Sequence, residues 1–179
     1  QGADAHRDVV ALNTALVLWA AGLAASPAAG VPLALEALAQ GWMGRWPELV
    51  GVGLNLQPEP TNRLLGEHTT SLAGRPWLVE SFCGLRYRIA ADTFFQVNTS
   101  QAEAVVPLLL EALGPTPGYL IDAYCGIGTY CLPLADRRWR VLGIEQHAGA
   151  VELARQNASL AGLAERCSFI CDDVAAVLL

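Results

Sequence analysis

Positive charge is in short supply. Eleven lysines and arginines stand against seventeen aspartates and glutamates, a net charge of −6. That deficit excludes a free-standing nucleic-acid binder, which would carry a basic stripe. Histidine is rarer still, with three in the chain. Neither Cys125/Cys131 nor Cys167/Cys171 has a second metal-type pair or a histidine nearby, so no zinc site and no metal ligand is assigned. The five cysteines are an odd number scattered through apolar sequence, the pattern of reduced thiols in a cytoplasmic protein. Charged residues make up only 16% against 53% hydrophobic, which excludes disorder and leaves a globular chain. A long unbroken apolar run is also missing. Residues 9–25, VVALNTALVLWAAGLAA, are interrupted by Asn13 and Thr14 and preceded by Asp4, Arg7 and Asp8. They are short for a membrane span and poorly flanked for a signal peptide, and are read as a buried strand entering a loop. The chain opens on Gln1 instead of Met and closes on DDVAAVLL within an apolar run, so it is read as a piece of a longer protein.

What is present falls into two regions. In residues 33–46, Leu33, Leu35, Leu38 and Trp42 have helical spacing, weakened by glycines. Residues 49–56 read as a strand, QPEPTN as a turn, and WLVESF with LRYRIA as two strands joined at Cys83 and Gly84. Residues 1–92 are therefore expected to form a small α+β domain. From residue 93 the pattern changes. Ser100 with Glu103 reads as a capping box opening a helix, with Asn98 holding the turn before it. Strand YLIDAY, turn CGIG, helix TYCLPLA, strand RVLGIE, helix AGAVELARQNASLAG and strand CSFICD follow. This alternation predicts an α/β domain over 93–179 built on a parallel sheet with right-handed crossovers.

Ligands of such sheets sit at the carboxyl ends of the strands, and Asp122, Glu145 and Asp173 each fall at or just past one of them. A dinucleotide fingerprint needs G-x-G-x-x-G, but the third glycine is lacking: after Gly126 and Gly128 the place is held by Cys131. Asp122 just ahead of the turn would repel a pyrophosphate by roughly 4 kcal/mol at about 4 Å and an effective dielectric of about 20. Beside an ammonium the sign reverses. Glu145 is spaced to accept from ribose hydroxyls. The ligand that suits acid, bare backbone and ribose acceptor is S-adenosylmethionine, which carries an ammonium and a sulfonium but no phosphate.

At DTFFQVNTSQAE together with DAYCGIGTYCLPLA the chain resembles the S-adenosylmethionine-dependent RNA (uracil-5-)-methyltransferases, of the bacterial 23S rRNA type. The resemblance runs over about residues 45–179. It implies the amino-terminal half of a class I (Rossmann-like) methyltransferase sheet preceded by the small α+β domain. It also implies that Gln96 contacts the cofactor, Tyr124 and Thr129 line its methionine end, and Gly126 and Gly128 allow close approach. Glu145 would hold the ribose and Asp173 would lie near the adenine. Family members often carry Phe at the place of Tyr124 and Asn at that of Thr129. The family's chemistry needs a cysteine that adds to C6 of uracil and a general base that removes the C5 proton. Its S-C-N-P-like and D-P-P-R-like motifs are absent here, so no catalytic residue is assigned, and Cys83, Cys131, Cys167 and Cys171 are read as small buried hydrophobes. RNA, ribosomal ahead of transfer RNA, would be gripped by segments missing here, together with any iron–sulfur cysteines or extra RNA-binding domain. The fragment alone would be inactive. Two other classes fit the glycine turn: another class I methyltransferase acting on tRNA, protein or a small molecule, and a non-enzymatic nucleotide-binding module. With three strands present, YLIDAY would be an edge, and residues 1–179 are expected to self-associate or to bind a hydrophobic dye.

Overall fold

A computed structural model describes residues 18, 20–57, 65–66 and 68–179. Contacts divide the chain into two compact units, Gln1–Pro76 and Trp77–Leu179. This differs from the division expected at 92/93, because the β-hairpin expected in the first region packs within the second unit.

In the first unit, helix α1 (Pro27–Arg45) begins where Ser26 accepts from the Ala29 N–H at 3.1 Å, with Pro27 in the first turn. The expected strand over residues 9–25 lies mostly outside the described residues. Leu18 and Ala20 are helical, and 21–25 are turns and bends, so at the described positions no strand forms. Strand β1 (Gly51–Asn55) pairs antiparallel with β2 (Thr69–Gly74), with a register shift between Val52 and Gly53. β2 was not expected, since TTSLAG has no apolar alternation. Most of the QPEPTN turn lies outside the described residues.

The second unit opens with β3 (Trp77–Phe82) and β4 (Leu85–Ala90), a hairpin whose register runs from Trp77↔Ala90 to Phe82↔Leu85. Cys83 (φ 50) and Gly84 (φ 78) are both left-handed, the geometry that lets a two-residue turn match strand twist. Helix α2 (Thr99–Leu113) follows. Its N-cap is Asn98 and not Ser100: Asn98 Oδ1 accepts from the Gln101 N–H and from the Ser100 hydroxyl, both at 3.2 Å. Glu103 closes no capping box either, because its Oε1 accepts from the Cys83 N–H at 2.6 Å and so ties α2 to the hairpin turn.

Beyond Gly114 come β5 (Tyr119–Ala123), α3 (Cys131–Asp136), β6 (Arg140–Glu145), α4 (Ala148–Leu160), β7 (Cys167–Cys171) and α5 (Val174–Leu178). The three strands form a parallel sheet in the order β5-β6-β7, leaving β5 at an edge as expected. This is the α/β architecture that the strand–helix alternation predicted. One face of the sheet, with Val141, Cys167 and Phe169, is buried with Leu132, Leu134, Val151 and Ala154 of α3 and α4. Helix α4 contacts β4 as well as β7, so it joins the hairpin to the sheet. No helix among the described residues is long and apolar enough to cross a membrane.

Candidate functional site

The turn between β5 and α3 is built on left-handed backbone. Tyr124 (φ 64), Gly126 (φ 56) and Gly128 (φ 84) all have positive φ, which glycine adopts freely and tyrosine only under strain. The Cys125 N–H donates to Ile144 O at 3.0 Å and the Gly128 N–H to Cys125 O at 3.0 Å, and Leu132 N then reaches Gly128 O at 3.1 Å to start the helix. A Cβ on Gly126 would meet nothing within 4 Å, so the chain is open at that point.

Cys131 fills the third glycine's place and is fully buried. The close packing that a third glycine would permit is supplied one strand away. A Cβ on Gly143 would lie 2.7 Å from both Cys125 Sγ and Phe169 Cδ1. Gly143 was not singled out from sequence, since a lone glycine in a strand carries no ligand signal by itself.

Glu145 ends β6 beside this turn. Its Oε2 accepts from the Gly126 N–H at 3.1 Å and its Oε1 from the His147 N–H at 2.8 Å. The amide that a dinucleotide would use for phosphate is thus occupied by a carboxylate, and each carboxylate oxygen retains a lone pair for a hydroxyl donor. Asp173 caps α5, its Oδ1 accepting from Ala175 N at 2.8 Å and Ala176 N at 3.2 Å. Asp122 lies on the packed face of β5 and receives the Cys131 thiol at 3.1 Å. Burial raises its carboxyl above the ordinary range, partly countered by the bonds from Cys131.

Tyr124 is 73% exposed at the mouth of the turn, whereas Thr129 is buried. Gln96 is half-buried in the segment before α2 and makes no hydrogen bond among the described residues. Its neighbour Phe95 packs against Phe82 and Tyr87, with ring centroids 5.9 and 6.0 Å apart. The structure therefore brings Tyr124, Gly126, Gly128, Thr129 and Glu145 together, while Gln96 and Asp173 share no hydrogen bond with them.

Among the cysteines, Cys125, Cys131 and Cys167 are buried, but Cys83 is only half-buried and Cys171 exposed. The reading of Cys83 and Cys171 as buried hydrophobes is corrected accordingly; Cys83 lies in the hairpin turn and Cys171 ends β7, where packing is incomplete. Hydrogen bonding with Cys125 and burial push the Cys131 thiol up. Burial lifts Cys167 to about 11, and burial with Glu103 nearby raises Cys83. These three thiols are held away from the thiolate that a nucleophile requires.

Two residues that hold the turn were missed. Asn157 and Tyr87 are both fully buried and bond to its carbonyls. A signal for Asn157 existed, since it shares the periodic apolar stripe of Ala150, Val151 and Ala154, where an amide needs a reason.

Residues 81–166 match the family described as tRNA (Uracil-5-)-methyltransferase. An uncharacterized RNA methyltransferase of Parasynechococcus marenigrum is 47% identical over 147 residues, covering 81% of this chain and 32% of that protein. One from Thermosynechococcus vestitus is 43% identical over 142 residues, covering 79% and 31%. The chain thus spans about a third of the length of these curated relatives. Among solved structures, Pyrococcus abyssi tRNA (uracil-54, C5)-methyltransferase in complex with S-adenosyl-L-homocysteine matches with a TM-score of 0.57 at 23% identity, covering 72% of this chain and 31% of that one. At that identity the likeness is one of fold.

Proposed function

We propose that this chain is the cofactor-holding segment of an RNA methyltransferase that acts on C5 of a uridine, since residues 81–166 match the tRNA (Uracil-5-)-methyltransferase family and the second unit has a parallel sheet whose fold is like that of a solved methyltransferase. S-Adenosylmethionine is the cofactor, and ribosomal RNA is the substrate we favour over transfer RNA. The observation that carries this reading is Glu145, held at 3.1 Å on the Gly126 N–H. A carboxylate placed there disfavours phosphate and suits a ligand bearing hydroxyls and positive charge.

The residues present fit that cofactor. Gly126 leaves open space where a Cβ would stand, Glu145 can accept from the ribose hydroxyls, and Tyr124 offers an exposed ring at the methionine end. Asp173 Oδ2 and Gln96 are further contacts we assign to it, to the adenine and from the approach segment respectively. When bound, the cofactor supplies an electrophilic methyl group on a sulfonium. This chain's part is to bind and orient. Asp122, kept in a desolvated setting, favours a cation near it when ionised. The thiol that adds to uracil C6 and the base that takes the C5 proton are assigned to the rest of the full-length protein, as is the grip on RNA. With its five free cysteines we place the protein in the cytoplasm.

The test is a titration of S-adenosylhomocysteine into the full-length protein with and without Glu145→Ala. Loss of a charge-assisted hydrogen bond to a ribose predicts a dissociation constant weakened by at least about tenfold. Unchanged affinity would remove Glu145 from the site and the reading with it.

A further inference from the structure

Away from the residues assigned to the ligand, the second unit buries a polar side chain completely. Asn157 on α4 is 0% exposed. Its Oδ1 accepts from the Arg88 N–H at 2.8 Å, and its Nδ2 donates to Arg88 O at 3.2 Å and to Ile127 O at 3.3 Å. The preceding strand residue, Tyr87, is also 0% exposed, and its hydroxyl donates to Thr129 O at 3.2 Å. Ile127 and Thr129 flank Gly128, so these two side chains reach alternate carbonyls of the glycine turn. Because peptide units are planar, fixing those carbonyls fixes the next N–H groups, those of Gly128 and Tyr130. The Gly128 N–H is then directed at Cys125 O, 3.0 Å away.

An aliphatic residue would serve a core position on α4 with less desolvation. What the amide adds is the simultaneous hold on β4 and on the turn, across 69 and 30 residues of sequence. Tyr87 repeats the arrangement across 42 residues, and its ring sits in the aromatic cluster with Phe82 and Phe95. The turn's shape is thus dictated from outside the turn.

We propose that Asn157 and Tyr87 are positioning residues that set the glycine turn in the geometry it needs to hold the adenosyl cofactor. The inference rests on the site reading given above. Neither side chain touches the ligand; both act through the carbonyls of Ile127 and Thr129.

The experiment uses the full-length protein with Tyr87→Phe, Asn157→Asp and, as a control of the site itself, Glu145→Ala. Three quantities are read: the S-adenosylhomocysteine dissociation constant by calorimetry, the unfolding midpoint without ligand, and the backbone amide resonances of Gly126 and Gly128 without ligand. Tyr87→Phe keeps the ring and removes one donor, and the dissociation constant should rise about fivefold. Asn157→Asp keeps the acceptor for Arg88 N but sets an oxygen against two carbonyls, and the rise should be about tenfold or more. Both variants should shift the two glycine amide resonances. Should Glu145→Ala weaken binding while both variants bind as wild type, the positioning role is overturned and the site stands. Should Glu145→Ala itself bind normally, the site reading fails first. Variants that melt earlier but keep both the affinity of the folded fraction and the glycine resonances would show packing alone, which also overturns the proposal. If Asn157→Asp does not fold, Tyr87→Phe decides the matter.

Discussion

The covered face of the parallel sheet and the opposite face at its β5 edge meet different fates. On one, Val141 is 3% and Phe169 9% exposed beneath α3 and α4; on the other, Tyr119 is 81% and Ile121 52% exposed. Strands of parallel sheets are apolar on both faces because both are normally covered. Here β5 carries apolar side chains on both faces, yet on one of them Ile121 is left half in water and Tyr119 has only the Arg140 guanidinium over its ring, 5.7 Å from the centroid. The lesson is that binary pattern reports the environment a strand is suited to, and an exposed apolar face marks where that environment is incomplete.

The sharpest way to break the comparison is to delete side chains on each face. Phe169→Ala on the covered face should cost about 3–5 kcal/mol, the range for a buried aromatic removed to a cavity, read from urea unfolding. Gly143→Ala on the same face should cost about 1–3 kcal/mol by overpacking, because the new methyl would press on Cys125 and Phe169. Asp122→Asn sharpens the picture further. Its carboxyl is raised by burial, so the folded state holds the proton more tightly than the unfolded state. That contribution is complete below the unfolded pKa and is lost as pH rises through the folded one. Asp122→Asn should therefore be more stable than the parent at neutral pH and lose that advantage on acidification, while binding S-adenosylhomocysteine more weakly. Unfolding curves across the acid range check the sign. Ile121→Ser on the open face should change stability least, within about 0.5 kcal/mol, and should reduce self-association and hydrophobic-dye binding by residues 1–179. An effect as large as that of Phe169→Ala would mean the two faces do not differ.

Local chemistry made much of this fold readable. β3, β4 and β6 have the bounds that alternation and turn residues indicated, because Cys83-Gly84 admits only a tight reversal and RVLGIE is bounded by polar loops. Glu145 and the glycine turn were legible because their spacing is itself the geometry. β2 was hidden because its pairing with β1 is set by the partner strand and not by its own pattern. The α2 cap was misplaced by two residues because Asn98 and Ser100 are both competent oxygens, and the choice fell to Glu103, drawn away by the Cys83 N–H. Tyr87 and the partners of Asn157 escaped for a deeper reason: the bonds span 42 and 69 residues, and no local window contains both ends.

Tyr124 carries one last implication. A non-glycine residue in left-handed backbone gives up roughly 1–2 kcal/mol, and a ring left 73% in water recovers little of it by packing. Glycine would relieve the bend without disturbing the core. Under the proposed function the ring has a use: its electron-rich π face stands open at the rim, where a positively charged sulfur would be drawn to the ring's quadrupole.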